Sequence, residues 1–561
     1  MRPSGAASHL DPFEPPAWTD RGSVVTRYAC YDSPVETFSA AERAALEPYF
    51  TNLDGPVFAL VNLPEVVKGA LFARYSRSAK SLRRLFLDEF LGEGLEAGGG
   101  ARPVGTARAE QLYERMLSEY GDDSVAQLGG VHIACEGASN ILTKVLEWGR
   151  LMAYLEQSTR YVPYTDRPGG HWKYHVPAEL DGHPLRARYV ETLDQAFETY
   201  ARWIDPMRAF WEARLSRPAG DNDVVWRSTI RAKALDSLRG LLPAATRSNV
   251  GIFGTGQGYE ALLLRMRAHP LQEVREHAAL LLTELRKVIP AFLTRVDRPD
   301  RGTLWSRYLA ETRAGTAAVA ARLLAGVETE PRGEVTLTDF DPDGEVKIVA
   351  AALYASASLP DDQLLLLARK LGPEERRRVL ESYVGARENR RHKPGRAFER
   401  TAYRFDVLGD YGAFRDLQRH RLLTLEWQPL SVRHGWVVGP EIEEAGALAD
   451  WTRVMDASAR LYEGLEGMGQ AAVAPYAVAM AYRVRFYMEL NAREAMHMIE
   501  LRTAPQGHPA YRRICQAMYR LIDEQAGHHA VAAAMRFADL SDAEHGRLDA
   551  ERASERRRVQ P

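Results

Sequence analysis

The sequence predicts a helix-rich α+β protein built from two diverged copies of one domain. The first observation is that three blocks recur in the same order, about 235 to 280 residues apart, which is the signature of a duplicated unit. The second is a strand-like alternation in the later copy that runs directly into a helical pattern. Together they place sheet and helix in each half of the chain.

The recurring blocks share small-residue turns, apolar runs and fixed basic positions. Their paired ranges are 69–82 with 349–359, 136–161 with 408–433, and 260–275 with 494–513. A segment rich in Pro, Gly and Asp at 327–344 is the natural junction between the copies. The predicted organisation is an N-terminal extension 1–54, a first, degenerate copy 55–310, a linker 311–333, a second, better-kept copy 334–540 and a charged tail 541–561.

The clearest local pattern lies in the second copy. From Val478 to Leu490 apolar residues occupy the even positions, which predicts a long strand with one polar face. At Asn491 the period changes, and Asn491 with Glu494 forms a helix N-cap with its capping-box partner. Apolar stripes at 141–155 and 274–288 predict two further helices.

The composition excludes several classes of protein. The 561 residues are 45% apolar and carry a formal charge of −2, so the chain lacks the broad basic field of a generic nucleic-acid binder. Three distant cysteines, Cys30, Cys135 and Cys515, argue against a disulfide framework or a thiolate zinc site. No run reaches the length of a membrane span and the first residues lack a signal-peptide core, so we expect no membrane partner and a cytoplasmic location.

Two constellations carry candidate chemistry. Arg419-His420-Arg421, followed by Ser431 and Arg433, places basic donors where they could hold an extended anion, although for the triplet taken alone a solvated basic turn is the favoured explanation. The second constellation opens a helix that follows a strand, where free backbone N–H groups favour anions. Its members are Asn491, Arg493, His497 and Arg502. Capping alone would also explain Asn491.

Other motifs predict no chemistry. The run Gly254-Thr255-Gly256-Gln257-Gly258 fails the dinucleotide fingerprint at Tyr259, and we interpret it as a flexible turn. Neither His132 with Cys135 nor the pair His528-His529 has complementary ligands nearby in sequence, so we expect no metal site. No serine or cysteine nucleophile signature is present.

Taken together, the two constellations resemble the flavin-dependent thymidylate synthases. That family carries Arg-His-Arg-x-x-Ser, then Ser-x-Arg, and later a strand leading into Asn-x-Arg-x-x-x-(Asn/His) and a Leu-Arg pair. Arg419-His420-Arg421 matches the first motif, and Asn491-Ala-Arg493, His497 and Leu501-Arg502 match the last. The resemblance implies that each copy is a twisted, mostly antiparallel sheet with helices, of the thymidylate-synthase-complementing type.

The sequence departs from the family pattern in both copies. In the second, Ser431 and Arg433 lie two residues further from Arg-His-Arg than in the family. In the first, Ser158-Thr-Arg160 is kept, but Trp148 and Gly149 stand where Arg and His belong and only Arg150 remains. Gly256 and Gly258 stand near the positions of the Asn and Arg of the later block, whereas Arg239 and Arg267 remain at positions that could face the nucleotide.

The resemblance implies a methyltransferase that methylates dUMP reductively at C5, with FAD as cofactor and NADPH and methylenetetrahydrofolate as co-substrates. It implies flavin contacts from Arg419, His420, Arg421, Asn491, Arg493 and His497. It implies nucleotide contacts from Ser158, Arg160, Arg239, Arg267, Ser431, Arg433 and Arg502, of which Arg502 also serves catalysis. The family is tetrameric, so we expect a homodimer of this two-copy chain. The alternatives are another pyrimidine nucleotide as acceptor, or a non-catalytic nucleotide-binding homologue.

Overall fold

The computed structural model describes residues 37–55, 58–75, 78, 80–91, 127–215, 217 and 222–541. Most of the predicted N-terminal extension, nearly all of the charged tail and Cys30 lie outside these residues. Two sheets confirm the predicted α+β class and its division between the copies. The first has the strand order β1-β3-β2, the second has the order β4-β5-β7-β6, and every neighbouring pair is antiparallel.

The strands are β1 Gly130–Ser139, β2 Met152–Glu156, β3 Arg247–Thr255, β4 Val335–Phe340, β5 Ala402–Asp410, β6 Leu423–Trp427 and β7 Arg483–Asn491. The helices of the first half are α1 Ala40–Leu46, α2 Glu65–Tyr75, α3 Leu82–Leu85, α4 Asn140–Leu146, α5 Arg186–Arg214, α6 Asp223–Leu238, α7 Gly256–Arg267, α8 Gln272–Arg286 and α9 Gly302–Leu323. Those of the second half are α10 Gly344–Tyr354, α11 Asp361–Lys370, α12 Pro373–Val384, α13 Tyr411–Leu417, α14 Pro440–Glu444, α15 Leu448–Gly467, α16 Ala492–Arg502, α17 Pro509–Arg520 and α18 His529–Ala534.

The two copies repeat one construction, in which a strand feeds directly into a helix at two places. Ser139 and Asp410 cap α4 and α13, and Thr255 and Asn491 cap α7 and α16. Each side chain accepts a hydrogen bond from the amide three residues later, which satisfies a free N–H of the first helical turn. These four junctions put the equivalent residues of the copies in register.

The helix predicted over 141–155 is wrong in its second half. Helix α4 ends at Leu146, and after a turn Met152 begins strand β2 at the edge of the first sheet. Leu155, which the apolar stripe placed in the core, is 81% exposed. Over so short a stretch the apolar positions fit both a helical and a strand period. Residues 152–156 form a strand because their backbone pairs with β3.

The strand predicted from Val478 begins only at Arg483. The residues before it form a turn between two isolated bridges, and their backbone pairs with the first copy, since Val478 accepts from Ala244 and Met480 donates to Leu242. The run Gly254–Gly258 is likewise not a flexible turn, because it forms the end of β3 and the start of α7. A Cβ at Gly254 would lie 2.5 Å from the Met152 side chain, so close packing requires glycine there.

The helix predicted at 274–288 is confirmed by α8. Helix α9 continues through the first half of the segment expected to be the linker, and coil follows from 325 to β4. Within the described residues, no helix combines the length and hydropathy needed to cross a membrane.

Candidate functional site

The two copies meet along one surface, which we call the seam. The short helices α4 and α13 face each other across it, since the Tyr411 hydroxyl donates to the Asn140 carbonyl at 2.9 Å and the Gln418 amide to the Lys144 carbonyl at 2.9 Å. These helices precede the segments equivalent to Arg-His-Arg in both copies. The seam therefore brings the motif of one copy against its altered counterpart in the other.

A fully buried carboxylate binds the copies together. Glu156 of β2 accepts from Arg415 at 2.7 Å and from Arg419 at 2.6 Å, and Lys144 lies at 3.3 Å. Burial opposes ionisation, but Arg415, Lys144 and Arg419 hold the pKa of Glu156 well below its usual range. The first residue of the Arg-His-Arg motif is thus fixed by the first copy.

A second buried carboxylate, Asp416, lies among four guanidinium groups. Arg239 of the first copy donates to it at 3.2 Å, and Arg419 lies at 3.7 Å. Although burial raises its pKa, Arg239, Arg419, Arg502 and Arg160 hold the pKa of Asp416 well below its usual range. These four arginines, which we call the arginine cluster, include three residues predicted to bind the nucleotide and one predicted to bind flavin.

Arg160 reaches the second copy from the kept Ser-x-Arg motif. It forms a bidentate pair with Asp236 at 2.7 and 2.9 Å, and donates to the Tyr511 hydroxyl at 2.9 Å and the Gln506 carbonyl at 3.1 Å. Ser158 accepts from the Arg160 amide at 3.2 Å, which turns the backbone toward the seam. The loop after Arg502 is therefore anchored by the first copy.

His420 connects the arginine cluster to helix α16. Its Nδ1 lies 2.9 Å from Glu494, and Nε of Arg502 lies 3.1 Å from its Nε2. Burial lowers the pKa of His420 to about 4, so the ring is neutral at pH 7. His497 lies 3.3 Å from the other oxygen of Glu494. The hydrogen bonds from His420 and His497 outweigh burial and lower the pKa of Glu494 to about 2.

His420, Glu494 and His497 are also the group of the described residues with metal-ligand spacing, their ligand atoms lying within 4.8 Å of one another. Arg502 can only donate, so Nε2 of His420 accepts and the proton lies on Nδ1. In this arrangement neither nitrogen of His420 offers a free lone pair. The cluster functions as a hydrogen-bond relay while Arg502 holds this position.

A cavity of about 230 Å³ opens beside Arg239. We call it the Arg239 cavity. Arg239 and Trp451 line it, and their buried donors Nη2 and Nε1 lack partners among the described residues. Polar side chains of both copies complete its wall: Lys233 and Asp236 come from the first copy, and Asp410, the neutral His508 and Arg513 from the second. Its donors suit an anion with polar substituents.

A second cavity of about 280 Å³ lies where the equivalents of Arg-His-Arg meet. We call it the Trp148 pocket. His420 and Arg421 line it from the second copy, and Trp148, Arg150 and Arg265 from the first. The side chain of Arg421 donates to the Met152 carbonyl across the seam. One motif predicted to bind flavin therefore faces a pocket whose other wall belongs to the degenerate copy.

Other predicted residues lie apart from the arginine cluster. Arg433 is 68% exposed in its side chain and pairs with Glu466 at 2.8 Å, while Ser431 accepts from the Arg433 amide. Arg267 ends α7 and helps to lower the pKa of Asp297. The register of the helix caps places Met266, not Arg267, opposite Arg502.

The remaining predicted flavin residues lie at the start of α16. Asn491 caps this helix, and Arg493 donates to the Pro394 carbonyl at 2.9 Å and to Glu399 at 3.2 Å. Sequence reasoning missed the seam residues Glu156 and Asp416, and treated Glu494 only as a capping partner. The spacing of the Glu494 side chain from His497 on one helix face was a signal for a shared role.

Comparison with known proteins finds relatives along most of the chain. A UPF0159 protein of Chlamydia muridarum is 38% identical over 522 residues, 92% of this chain and 98% of that protein. A flavin-dependent thymidylate synthase of Clostridium tetani is 26% identical over 178 residues, 31% of this chain and 66% of that protein. The crystal structure of a UMP/dUMP methylase from Streptomyces cacaoi bound with 5-Br dUMP is 20% identical and covers 38% of this chain and 100% of that chain, with a TM-score of 0.29.

The family model of the thymidylate synthase complementing protein matches residues 72–291 and 336–526. These two segments contain one sheet each and together exceed half of the chain. The chain therefore belongs to the thymidylate synthase complementing protein family and carries two copies of its domain.

Proposed function

We propose that the protein methylates dUMP reductively at C5, with FAD as bound cofactor, NADPH as reductant and methylenetetrahydrofolate as one-carbon donor. The observation that carries the proposal is the arginine cluster around Asp416, built from both copies and adjoining the Arg239 cavity. Guanidinium forks match phosphate and imide oxygens, which a pyrimidine nucleotide supplies. Membership of the family and the similarity to a flavin-dependent thymidylate synthase support the same reaction.

The residues present fit a flavin. His420 and His497 have ring centroids 5.3 Å apart, and the exposed Arg421 and half-buried Arg493 supply cationic donors for a diphosphate. When bound, FAD would supply the hydride chemistry that no side chain can perform. The chain's own contribution is to hold the nucleotide through Arg239 and Arg502 and to keep His420 neutral beside them.

The described cysteines support a reaction without an enzyme thiolate. Burial raises the pKa of Cys135 to about 11 and that of Cys515 to about 12. A thiolate at either position is therefore scarce at pH 7, and thiolate is the nucleophilic form. The polarisation of the uracil ring falls instead to the arginines at the seam.

The assembly is part of the proposal. Family active sites are shared among four single-copy chains, so two copies in one chain would reach that arrangement as a homodimer. The kept Ser158 and Arg160 of the first copy would serve the nucleotide, and the second copy would hold the flavin. One flavin per chain is the expected content, because Gln257, Gly258 and Ala261 of the first copy stand at the positions of Arg493, Glu494 and His497.

The test is release of tritium from C5-labelled dUMP by the full chain supplied with FAD, NADPH and methylenetetrahydrofolate. Release that depends on all three supports the reaction. UMP and dCMP are assayed beside dUMP, because the exposed position of Arg433 favours a changed acceptor as the second candidate. Nucleotide binding without release from any of the three would contradict enzymatic methylation and favour a non-catalytic binder.

A further inference from the structure

Helix α9 projects from the first copy with little of its surface covered. It lies between the two segments that match the family model, so the family fold does not account for it. Its first half is anchored on α7 and the residue after it, since the Ser306 hydroxyl donates to the Leu264 carbonyl at 3.2 Å and Arg313 donates to the Ala268 carbonyl at 3.0 Å. From Glu311 to Val319 every residue is exposed.

The exposed part of α9 has the composition of a buried helix. Between Ala314 and Gly326 the only charged residue is Arg322. A solvated helix face is normally polar, and a helix that is apolar all round is normally buried. Most of the stability of a helix also comes from packing rather than from propensity. The composition therefore indicates that a further surface covers this segment.

The large apolar side chains of α9 share one face, which we call the α9 stripe. At about 100° per residue its members lie within an arc of about 80°, and Ser306 and Arg313 lie on the opposite side of the helix. The stripe therefore faces away from the first copy. It consists of Trp305, Tyr308, Thr312, Gly315, Val319 and Leu323, of which the four large apolar side chains are 47% to 64% exposed.

Gly315 lies near the midpoint of the stripe. A Cβ there would meet no atom within 4 Å, so no contact in the described part of the chain requires glycine. A glycine inside an exposed helix lowers the stability of that helix relative to alanine. Its advantage is that another backbone can approach closely. The midpoint is therefore the place where a second helix can cross α9.

The stripe is complementary to itself when it is reversed. A two-fold axis beside Gly315 sets Tyr308 against Leu323 of the partner subunit, and Thr312 against Val319 of the partner subunit. Each large side chain at one end then meets an apolar side chain from the other end, and the small residues meet at the centre. A second copy of this chain therefore fits the stripe without any further partner.

Charge favours the antiparallel arrangement. The exposed Arg301 precedes α9, and the exposed Glu328 and Glu330 follow it. An antiparallel pair brings these unlike charges together at both ends, whereas a parallel pair would set like charges side by side. A groove of about 470 Å³ between Leu264 of α7 and Trp305 lies at the end where the second helix would finish.

The surface is large enough for a specific contact. The exposed fractions leave roughly 500 Å² of mainly apolar surface on the stripe of each copy, so a pair buries roughly 1,000 Å², the area that a specific interface needs. We propose that two copies of this chain associate through α9, as an antiparallel helix pair that crosses at Gly315. This proposal rests on the homodimer of the proposed function and names the surface that forms it.

Sedimentation equilibrium of the full chain measures the Kd of the dimer. Leu323→Lys should raise it roughly 100-fold, because the pair would bury an unpaired charge. Leu366→Lys on α11 is the matched control, since Leu366 is 54% exposed against 64% for Leu323, and it should leave the Kd within about threefold. Gly315→Ala should raise the Kd roughly tenfold although alanine favours a helix, because its methyl group holds the backbones apart.

Disulfide cross-linking tests the orientation of the pair, with Cys30→Ser as the background. Thr316→Cys should give a covalent dimer on oxidation, because the two-fold axis brings both copies of position 316 together. Ala317→Cys is the control, since Ala317 is exposed on the side opposite the stripe, and it should remain uncrosslinked. Equal cross-linking of the two variants would contradict the antiparallel pair.

A monomeric wild-type chain overturns the proposal, and so does an equal Kd in Leu323→Lys and Leu366→Lys. Should Leu323→Lys not fold, Thr316→Cys decides, since the absence of a covalent dimer overturns the proposal as well. Tritium release is measured in parallel. A dimer that depends on Leu323 in a chain without release supports the α9 pair and contradicts the methylation; release by a chain that sediments as a monomer does the reverse.

Discussion

Nε of Arg502 donates a hydrogen bond to Nε2 of His420 over 3.1 Å. Because a guanidinium cannot accept, this contact places the proton of His420 on Nδ1, from which it is donated to Glu494 at 2.9 Å. Arg502, predicted to bind the nucleotide, and His420, predicted to bind flavin, are thus joined by this hydrogen bond.

Glu494 positions Arg502 through His420. Glu494→Ala should raise KM for the nucleotide at least tenfold, because His420 would be free to change tautomer and release Arg502. Glu494→Gln should restore KM to within about threefold, since its amide oxygen still accepts from Nδ1. Steady-state kinetics of both variants check this. Equal damage from the two substitutions would contradict a role in fixing the tautomer.

Arg502 is expected to contact the nucleotide itself. Arg502→Ala should weaken nucleotide binding by roughly 30- to 100-fold, the worth of ~2–3 kcal/mol in a partly buried charged contact. Flavin content should be largely retained, because His420 loses the donor on Nε2 but keeps its hydrogen bond to Glu494. Calorimetric titration with dUMP and the absorption spectrum of the same preparation give both quantities. Loss of flavin with unimpaired nucleotide binding would refute the assignment.

Gly412 provides the space for Arg239. A Cβ at this position would lie 3.0 Å from Nε and Nη2 of Arg239 and 3.0 Å from Asp410, so the guanidinium must move. Gly412→Ala should therefore weaken nucleotide binding by about tenfold while the unfolding midpoint changes little. Gly467→Ala, where nothing lies within 4 Å of the added Cβ, is the matched control and should leave binding unchanged. Equal affinity in both variants would show that Arg239 does not reach the ligand.

Glu156 holds the two copies together. Glu156→Gln leaves three cations around a neutral buried amide and should lower the free energy of unfolding by about 3 kcal/mol or more. Glu489→Gln breaks an exposed pair with Arg404 at 3.0 Å and should cost less than about 1 kcal/mol. Urea denaturation of the two variants checks the contrast. Similar losses would mean that the buried network contributes no more than a surface pair.

Acid should unfold the protein through its buried histidines. Burial lowers the pKa of His420 and His269 to about 4 and that of His508 to about 3. In the unfolded chain all three titrate near 6.5, so between pH 6.5 and 4 the unfolded state binds more protons. Stability should be complete above pH 6.5 and decline as the pH falls, by up to about 4 kcal/mol per unit.

Urea denaturation at pH 7 and pH 5 measures this loss. His508→Gln should reduce the pH dependence by about one third, because it removes one of the three protonation sites. The exposed His171, replaced by Gln, serves as the control and should leave the dependence unaltered. A stability that does not change between the two pH values would contradict burial of neutral imidazoles.

The sequence predicted those elements whose signal lies within a few neighbouring residues. The change of period at Asn491 predicted the junction of β7 and α16 and its cap, since Asn491 accepts from the Glu494 amide. The predicted capping box is wrong, because the Glu494 side chain pairs with His420 and His497. The repeated blocks predicted two copies. The stripe at 141–155 was misleading, since pairing with β3 overrode a helical period that Leu155 happened to fit.

The buried charges of the seam were beyond such patterns. Glu156 is buried because Arg415 and Arg419, more than 250 residues away in sequence, neutralise it. Nothing near Glu156 distinguishes it from a surface glutamate on an edge strand. Sites formed between distant copies require the fold before they can be named.

The pairing of Glu156 with Arg415 and Arg419 also requires that each first copy meet one second copy. Trp427 of the second copy is equivalent to Glu156, and Lys144 and Trp148 of the first copy are equivalent to Arg415 and Arg419. Two identical copies could therefore not form the network. A pair of second copies would lack the acid, and a pair of first copies would lack both arginines. Covalent fusion supplies each half with its unlike partner at an effective concentration in the millimolar range, independent of expression level. The two halves have become heterologous subunits that are inherited as one gene product.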